Sequence, residues 1–518
     1  MYTISGLPRC RHLAQHVDLE IGNGIDLVAP GLGGLMSRPY RDRGPSSQRR
    51  PAALAFLRRE PKPPQMRREL ALLLYRTPRS YGTVGALTAH RGHMICSSEA
   101  RQTTTDLASD QHTPKSKPDG PSGPLVGVKV LDLSTVIAGP LCATMLADFG
   151  AEVLKVELPG AGDHIRHLPP HKDGIPLWSK VVNRNKRGIT LDLRLPEGVR
   201  LFERLIEDYD VLVENFRPGT LDKWGLSAAR LHELNKRLII LRVTGFGQTG
   251  PNCHKPGFAR IFEALSGFAN LCGEPSGPPL FSGYPISDGV TGIFGALAVL
   301  AALHHRDQNG ASAGQEIDLS ATEAMFRLLD FMAIEYDQLG SVRGRSGNLN
   351  AYSAPSSVYI TRDGQWIALA VSAPTVFARL ARAIDRDDLL TDVRFMTNVA
   401  RLEHREAIEE IMRAWFLART AAEAMAIFTA HEVSAAPIYS IADIFKDPHF
   451  EAREVIISVP DTDFGAVKMQ AVVPRFSKTP GNVWRAGPSL GEHNNTVYRT
   501  ELGLDSDTLE DLRSRKVI

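Results

Sequence analysis

The sequence predicts an α/β protein in which a large domain holds a Rossmann-like parallel sheet and a smaller domain is α+β. Two observations carry this prediction. From Pro124 onward, patterns of buried strands and amphipathic helices alternate about every 20 residues, which is typical of a parallel sheet with helices on both faces. Further along, the run DGQWIALAV predicts a strand pair and is followed by two helical stretches, TVFARLARAI and REAIEEIMRAWFLART.

The elements of the large domain follow one another in a regular order. GVKVLDLS predicts a buried strand, LCATMLADFG a helix that ends at Gly150, and AEVLKVELPG and ITLDLR two further strands. EGVRLFERLIEDY places five apolar residues on one helical face: Val199, Leu201, Phe202, Leu205 and Ile206. DVLVENF, SAARLHELNKR and LIILRVTGF add a strand, a helix and a strand. Because ligands of such sheets bind beyond the carboxyl ends of the strands, we expect the functional site at that edge.

Composition and pattern together divide the chain into four segments. Residues 1–122 form a basic, low-complexity extension, 123–340 the large domain, 341–440 the small domain, and 441–518 a return to the large domain. The extension is rich in proline, serine and glycine and lacks sustained alternation, which favours disorder. Two other interpretations stay open for it: a start site assigned too early, with the true start near Met94, or a targeting segment.

The charge balance differs between the extension and the rest of the 518 residues. Eighteen basic and ten acidic residues lie in 1–122, a net charge of +8, and the remainder carries −6, so the total is only +2. We therefore expect no nucleic-acid partner. The longest apolar run, Ile293–Leu303, has eleven residues, against about 20 for a membrane span, and no secretory signal is evident.

The cysteine pattern argues against a disulfide framework or a structural metal. Five cysteines occur, none of them in a C-x-x-C pair, and an odd number without such spacing favours a reducing compartment. We expect no bound metal and a cytoplasmic location.

One glycine motif imitates a dinucleotide fingerprint. GFGQTG places Gly245, Gly247 and Gly250 in the G-x-G-x-x-G pattern after a strand. Pro251 follows, and NCHKPG does not open a helix, so no helix amino terminus is available to hold a pyrophosphate. The motif does not predict NAD binding, and we expect these glycines to shape a tight loop near a ligand.

Asp288 stands between an extended run and a long apolar helix in YPISDGVTGIFGALAVLAALHHR. One interpretation is that Asp288 caps the helix by accepting a hydrogen bond from a first-turn amide. The positive end of the helix dipole would keep the carboxylate ionised, which also suits a nucleophile. On this segment alone both interpretations remain.

From about Pro124 to Ile518 the chain resembles the family III CoA-transferases, the group that includes formyl-CoA transferase and carnitine CoA-transferase. The resemblance rests on GVKVLDLSTVIAGP, ADFGAEVLKVELPGAGD, VNRNKRGITLDL, VENFRPGTLDKWGL, GFGQTGP and SDGVTGIFGALAVLAALHHR, in this order, and on later matches such as SAPSSVYITRDGQWIALAV and PSLGEH. It implies an interlocked homodimer in which each chain threads through the other.

The resemblance also implies a reaction and places its nucleophile on Asp288. CoA would pass from an acyl-CoA donor to a carboxylic acid through an anhydride and an aspartyl-CoA thioester, with the CoA thioester as substrate and no permanently bound cofactor. Backbone amides of the Gly245–Gly250 loop could stabilise the thioester oxygen. The partners implied are an acyl-CoA, a carboxylic acid and a second copy of the chain.

Several positions match the CoA-contacting segments of the family: Val136, Ile137, Ala138, Arg187, Leu191, Arg194, Asn215, Phe216, Arg217 and Lys223. The basic cluster Arg184, Lys186 and Arg187 is one candidate for the CoA phosphates, because phosphates are bound by arginine and lysine. The alternative for each single basic residue is a solvated surface charge.

The chain departs from the family pattern at a few places. Leu158 stands where the family often has arginine, Pro256 where a basic residue often precedes the turn, and Ala259 where an acidic residue follows the aromatic. The segment Arg345–Pro355 is too short for the glycine-rich lid of formyl-CoA transferase. Ala259 weakens the prediction of a second carboxylate in the site.

Two other functions compete with the transferase. The related α-methylacyl-CoA racemases use a histidine and an aspartate, but those positions fall on Phe258 and Ala259, which cannot act as bases, and His254 is a lone loop histidine. A catalytically degenerate CoA-binding subunit would explain Leu158 and Ala259. The intact SDGVTG context of Asp288 argues against it.

Overall fold

The computed structural model describes residues 120–308 and 313–518, which all belong to one unit spanning Leu107–Ile518. The predicted basic extension, up to residue 119, and the candidate start at Met94 lie outside the described residues. The strands are β1 Lys129–Asp132, β2 Glu152–Glu157, β3 His171–Lys172, β4 Ile175–Pro176, β5 Lys186–Thr190, β6 Val211–Glu214, β7 Ile239–Thr244, β8 Glu316–Ser320, β9 Ser356–Ile360, β10 Trp366–Ala370, β11 Ala435–Pro437, β12 Ile456–Asp461 and β13 Gly465–Gln470.

Helices fill most of the intervals between these strands. They are α1 Ala138–Asp148, α2 Leu177–Val182, α3 Pro196–Ile206, α4 Thr220–Lys223, α5 Ala228–Leu234, α6 Ala259–Leu265, α7 Phe268–Leu271, α8 Ile286–Gln308, α9 Ala321–Arg327, α10 Met332–Leu339, α11 Pro374–Ala383, α12 Asn398–Glu403, α13 Arg405–Leu417, α14 Ala421–Ala430, α15 Ile441–Ile444, α16 Pro448–Ala452 and α17 Ser506–Ser514. Short 3-10 turns at His164–His167 and Asp387–Leu390 and a π-helical segment at Asn495–Glu501 complete the set.

Six parallel strands form the central sheet, in the order β5-β2-β1-β6-β7-β8. This order reverses direction between β1 and β6, as in doubly wound sheets that bind nucleotides. One apolar core lies between one face of the sheet and α3, α5 and α17, and another between the opposite face and α1 and α8. The predicted Rossmann-like parallel sheet is confirmed.

Two strands differ from their sequence predictions. ITLDLR predicts a strand over 189–194, whereas β5 ends at Thr190, opposite Glu157, the last residue of its partner β2. The freed residues Leu191 and Leu193 turn into a buried loop at the carboxyl edge of the sheet. The edge strand β8 is not predicted by the pattern, because it is not a continuous apolar run like the central strands and only Ser320 of its five residues is buried.

Helix α8 packs closely against α1 through two glycines. A side chain on Gly292 would meet the Ala138 carbonyl oxygen at 3.0 Å, and one on Gly295 would meet the Cys142 Sγ at 3.1 Å. Within the described part of the chain, α8 is the one helix whose length and composition would allow it to cross a membrane. Its glycine face is instead buried against α1.

The small domain has a three-stranded antiparallel sheet of its own, in the order β11-β10-β9. Helices α11, α13 and α14 cover it, and a separate apolar core contains Phe377, Phe416 and Phe428. After this domain the chain comes back to the large sheet, where Tyr498 donates to the Thr190 carbonyl oxygen and the Val517 carbonyl accepts from the Asp192 amide. The predicted boundaries at residues 340 and 440 stay predictions.

Candidate active site

The crevice between β1 and β6 is fixed by a pair of hydrogen bonds just beyond the two strands. The Thr135 amide donates to Asn215 Oδ1 at 2.7 Å, and Asn215 Nδ2 donates to the Thr135 carbonyl at 2.8 Å. This is the point where the strand order reverses, the usual ligand position in such sheets. Two cavities open here, and Thr135 borders both of them.

The first cavity, which we call the Asp288 cavity, has a volume of about 170 Å³. It collects residues from the ends of β1, β6 and β7 and from the start of α8. Six of the residues predicted from the sequence line it: Val136, Ile137, Ala138, Asn215, Gly245 and Asp288. The structure therefore brings the candidate nucleophile together with three of the segments assigned to substrate contacts.

The loop that leads from β1 into α1 forms one wall of the Asp288 cavity. Val136 has a φ of 68°, a left-handed conformation that is unfavourable for a β-branched residue, and its amide is held by the Asp163 carboxylate at 2.9 Å. Helix α1 follows at once, and no side chain caps its amino end. The positive end of α1 thus borders the cavity, a favourable place for developing negative charge.

Asp288 itself lies in the first turn of α8, which begins at Ile286. The N-cap interpretation is therefore wrong, because the residue is inside the helix. Within the described residues, no group donates a hydrogen bond to its half-buried carboxylate and no cation pairs with it. Burial, and then the negative charge of Glu263, raise the pKa of Asp288 to about 6. The carboxyl is ionised above that pH, yet it is less acidic than the helix dipole alone would make it.

A second carboxylate lies near Asp288, although Ala259, at the position where the family has an acidic residue, weakens the prediction of one. Glu263 in α6 is only 1% exposed, and its Oε1 accepts the amide of Ser287 at 3.4 Å. Residue 263 is one helical turn after residue 259, so both share a helix face. An acidic residue four positions beyond Ala259, on a helix, is the sequence signal that could have identified it.

The second cavity, which we call the Phe216 cavity, is larger, about 400 Å³, and mostly apolar. The predicted residues Leu191, Arg194 and Phe216 line it, together with Trp224 and the departure from the family pattern, Leu158. The rings of Phe216 and Trp224 meet edge to face, with centroids 5.2 Å apart. Such a pair offers a flat apolar wall of the kind that contacts an aromatic base.

One basic residue, Arg194, lines the Phe216 cavity, and two others are next to lining residues in the sequence. The Arg194 guanidinium is held by both oxygens of Asp192, at 2.8 and 2.6 Å, while most of its side chain is exposed. Arg217 and Lys223 are exposed and adjoin the lining residues Phe216 and Trp224 in sequence. Neither of these two forms an ion pair with a described residue, so a solvated charge remains the alternative for each.

The basic cluster around the start of β5 lines neither cavity, so the described residues give no support to the prediction that it meets CoA phosphates. Lys186 is completely buried, with its Nζ 2.9 Å from Asp132 Oδ2, and Arg184 is buried against Asp148. Arg187 lies near the start of β5, away from the carboxyl edge, and pairs with Glu501. These cations are neutralised by contacts within the protein.

The glycine loop contributes less than predicted. Gly245 lines the Asp288 cavity, but Gly247 and Gly250 line neither cavity. Gly247 instead takes a positive φ of 84° beside Asp318, whose carboxylate accepts the next amide, that of Gln248. Among the described residues, no histidine lines the Asp288 cavity, so the racemase alternative has no histidine–aspartate pair there.

Comparisons with known proteins agree on one family. The sequence model of CoA-transferase family III matches residues 125–494. A succinyl-CoA–D-citramalate CoA-transferase of Chloroflexus aurantiacus is 45% identical over 77% of this chain and 99% of its own length. The beta subunit of a succinyl-CoA–L-malate CoA-transferase of the same organism is 44% identical over 76% and 98%. A succinate–glutarate CoA-transferase of Agrobacterium fabrum is 35% identical over 72% and 94%.

Solved structures give the same result for the fold. A CAIB/BAIF family protein from Brucella suis superposes with a TM-score of 0.66 at 33% identity, covering 74% of this chain and all of that one. A hypothetical protein from Mycobacterium tuberculosis gives a TM-score of 0.64 at 28% identity, covering 73% and 100%.

Proposed function

The chain belongs to CoA-transferase family III and is a CoA-transferase, and we propose that Asp288 is the nucleophile that carries CoA from the donor to the acceptor acid. One observation carries the proposal: an ionisable carboxylate without a described partner stands in a cavity at the carboxyl edge of the sheet. An unpaired carboxylate keeps its electron pairs free to attack a carbonyl carbon.

The exchange proceeds by acyl-transfer steps that need no net proton movement. The Asp288 carboxylate attacks the thioester carbonyl, the carbon–sulfur bond breaks, and a mixed anhydride and the CoA thiolate form. The thiolate attacks the aspartyl carbonyl, which releases the donor acid and leaves an aspartyl-CoA thioester. The acceptor carboxylate then attacks the aspartyl carbonyl of this thioester, the carbon–sulfur bond breaks, and a second mixed anhydride and the CoA thiolate form. The thiolate attacks the acceptor's carbonyl in that anhydride, which gives the new acyl-CoA and frees the Asp288 carboxylate. Dividing the exchange in this way replaces one difficult step by several easier ones.

Negative charge on the thioester oxygen develops close to the amino end of α1. Ala138, the first residue of α1, and Gly245 line the same cavity as Asp288. Backbone amides at a helix amino end stabilise an oxyanion without reorganisation. We therefore favour α1, with Gly245, over the Gly247–Gly250 part of the loop as the source of these donors.

A trapping experiment tests the assignment of Asp288. The protein is incubated with succinyl-CoA and hydroxylamine, and peptide mass spectrometry is used to find the modified residue. We expect a hydroxamate on Asp288. A hydroxamate on another carboxylate, or transfer activity without any adduct, contradicts the proposal.

The Phe216 cavity is proposed as the site for the adenine end of CoA, with the pantetheine arm passing Thr135 to reach Asp288. Arg194 in its lining, together with the exposed Arg217 and Lys223 next to the lining residues Phe216 and Trp224, suits the phosphates. Leu158 in its wall supplies apolar contact where the family often has an arginine. Arg187 is left out because it lines neither cavity and lies near the start of β5, away from the carboxyl edge of the sheet.

Replacing Phe216 by alanine is expected to raise the KM for acyl-CoA about tenfold, since a base–aromatic contact contributes about 1–3 kcal/mol. The kcat should change much less, because Asp288 is untouched. Steady-state kinetics measures both quantities. Arg187→Ala serves as the control and should leave the KM unchanged. An unchanged KM in Phe216→Ala would place the adenine outside this cavity.

The names of the relatives suggest the substrate class. Relatives at 44–45% identity are named for succinyl-CoA as donor and for D-citramalate or L-malate as acceptor. We propose that this protein likewise takes succinyl-CoA and a short dicarboxylic acid. Transfer assays with D-citramalate, L-malate and glutarate as acceptors compare these acids directly.

We also propose a homodimer, because large apolar side chains are exposed on helices of the single chain. Examples are Ile293 and Leu297 on α8 and Ile334, Tyr336 and Leu339 on α10, and α10 has no buried residue at all. Apolar surface on this scale usually marks an interface. Two of the relatives are named as alpha and beta subunits, which makes a second, different chain the alternative.

Light scattering on the purified protein is expected to give about 113 kDa, twice the 56.7 kDa of one chain. Ile334→Glu should shift the mass towards that of the monomer, because it places a charge in the apolar interface. An active protein with the mass of one chain contradicts the homodimer.

Two further proposals concern the location of the enzyme in the cell and the absence of a permanently bound cofactor. Cys142, Cys253 and Cys272 are free thiols, which supports a cytoplasmic location, since thiols persist in reducing compartments. The acyl-transfer steps above use only carboxylates and the CoA thiol, which supports the proposal that no cofactor stays bound between turnovers.

A further inference from the structure

Glu263 is a buried carboxylate without a cationic partner. It is 1% exposed, and within the described residues its recorded contact is with the amide of Ser287, which donates to Oε1 at 3.4 Å. Ser287 directly precedes Asp288, so α6 holds the Glu263 carboxylate against the first turn of α8. No lysine or arginine among the described residues lies within ion-pair distance of it.

Other buried carboxylates of the large domain are paired. Glu157 binds Arg166 with both oxygens, and Asp148 binds Arg184. A buried carboxylate without such a partner is costly. Glu263 differs from these other buried acids because no cation among the described residues pairs with it.

The other ionisable groups near Glu263 and Asp288 do not neutralise these two carboxylates. Tyr284 and Cys272 are neutral at ordinary pH, and burial, with the charge of Asp288 or Glu263 respectively, raises the pKa of each. Arg260, also on α6, is exposed and stacks over Phe281. The face of α1 that meets α8 presents Leu141 and Cys142.

We infer that Glu263 is a positioning residue whose negative charge destabilises the Asp288 carboxylate and thereby favours its conversion into the neutral anhydride and thioester. The inference rests on the proposed role of Asp288 as nucleophile. When Asp288 attacks the thioester, its carboxylate becomes an uncharged acyl group and the negative charge leaves with the CoA thiolate. Repulsion from Glu263 is relieved in that step. The same repulsion contributes to the raised pKa of Asp288.

The decisive variant is Glu263→Gln, which keeps the shape of the side chain and removes its charge. We expect the acid limb of the kcat/KM profile, near pH 6 in the unaltered enzyme, to move down by about one pH unit. The equilibrium constant for forming the aspartyl-CoA thioester, measured by quenching and mass spectrometry at saturating succinyl-CoA, should fall about tenfold.

Three matched variants separate charge from structure. Glu263→Asp retains a charge and should keep the acid limb near that of the unaltered enzyme, and Glu263→Met provides a second neutral side chain if the glutamine variant folds poorly. Glu323→Gln, at an exposed acid of α9, should change neither readout.

The outcomes distinguish this inference from the proposed function. An acid limb and a thioester population that are unchanged in both neutral variants overturn the role of Glu263. So does an aspartate variant that behaves like the neutral ones. If the unaltered enzyme forms no adduct at Asp288, the proposed nucleophile itself is wrong.

Discussion

Asp288→Asn is expected to lower CoA transfer by at least about 10³-fold and to abolish the hydroxylamine adduct, because an amide cannot attack the thioester. The substitution preserves size and the first turn of α8. Initial rates with succinyl-CoA and an acceptor acid measure the loss, and isothermal titration with CoA should show binding close to that of the unaltered enzyme.

The same variant should be more stable than the unaltered protein at pH 7.5. The pKa of Asp288 is raised from 3.8 to about 6, so the folded state binds the proton more tightly than the unfolded state does. Ionisation therefore costs stability above pH 6, by about 2 kcal/mol after allowance for partial exposure, and costs nothing below about pH 4. Denaturant unfolding of the variant and the unaltered protein at pH 7.5 and at about pH 4 tests this difference.

If Asp288→Asn kept more than a tenth of the transfer activity, the role of Asp288 as nucleophile would be contradicted.

Lys186→Ala is expected to destabilise the folded protein by about 3–5 kcal/mol, because it leaves the buried carboxylate of Asp132 without its principal partner. The Lys186 Nζ is 2.9 Å from Asp132 Oδ2, 2.8 Å from the Pro140 carbonyl oxygen and 2.9 Å from Asn183 Oδ1. The variant also removes the donor to the Pro140 carbonyl oxygen and to Asn183 Oδ1. Denaturant unfolding followed by circular dichroism measures the change.

Arg187→Ala is the matched control, one residue along the same strand. Arg187 is partly exposed and pairs with Glu501, so its loss should cost less than about 1 kcal/mol. If Lys186→Ala were stable but bound CoA weakly, Lys186 would reach a phosphate after all, and its structural role would be refuted.

The sheet is predictable because its evidence is local. Continuous apolar runs such as VLDL and IILRV predict strands that are buried on both faces, and the alternation with helices limits the topology to a few arrangements. Where a strand ends depends instead on its neighbour. ITLDLR satisfies the pattern up to residue 194, but β2 stops at Glu157 and β5 stops opposite it.

The site is predictable only in part, for the same reason. Asp288 and the segments that contain Val136 and Asn215 can be identified from motifs, and the fold brings them to one cavity. Glu263 has no such motif, because the expected acid falls on Ala259, and only the packing of α6 against α8 places the next turn beside Ser287.

The order of strands and helices, the position of the long helix at Asp288 and the family resemblance follow from the chain read along its length, since periodicity and motifs depend on residues close together in sequence. Which charges are free depends on the folded arrangement. Lys186 and Asp132 are 54 residues apart and neutralise each other, whereas Glu263 and Ser287 are 24 apart and bring together two carboxylates without a cation. The energy of a charge depends on the neighbours that folding provides and on its exclusion from water, and neither can be deduced from the residue and its adjacent positions.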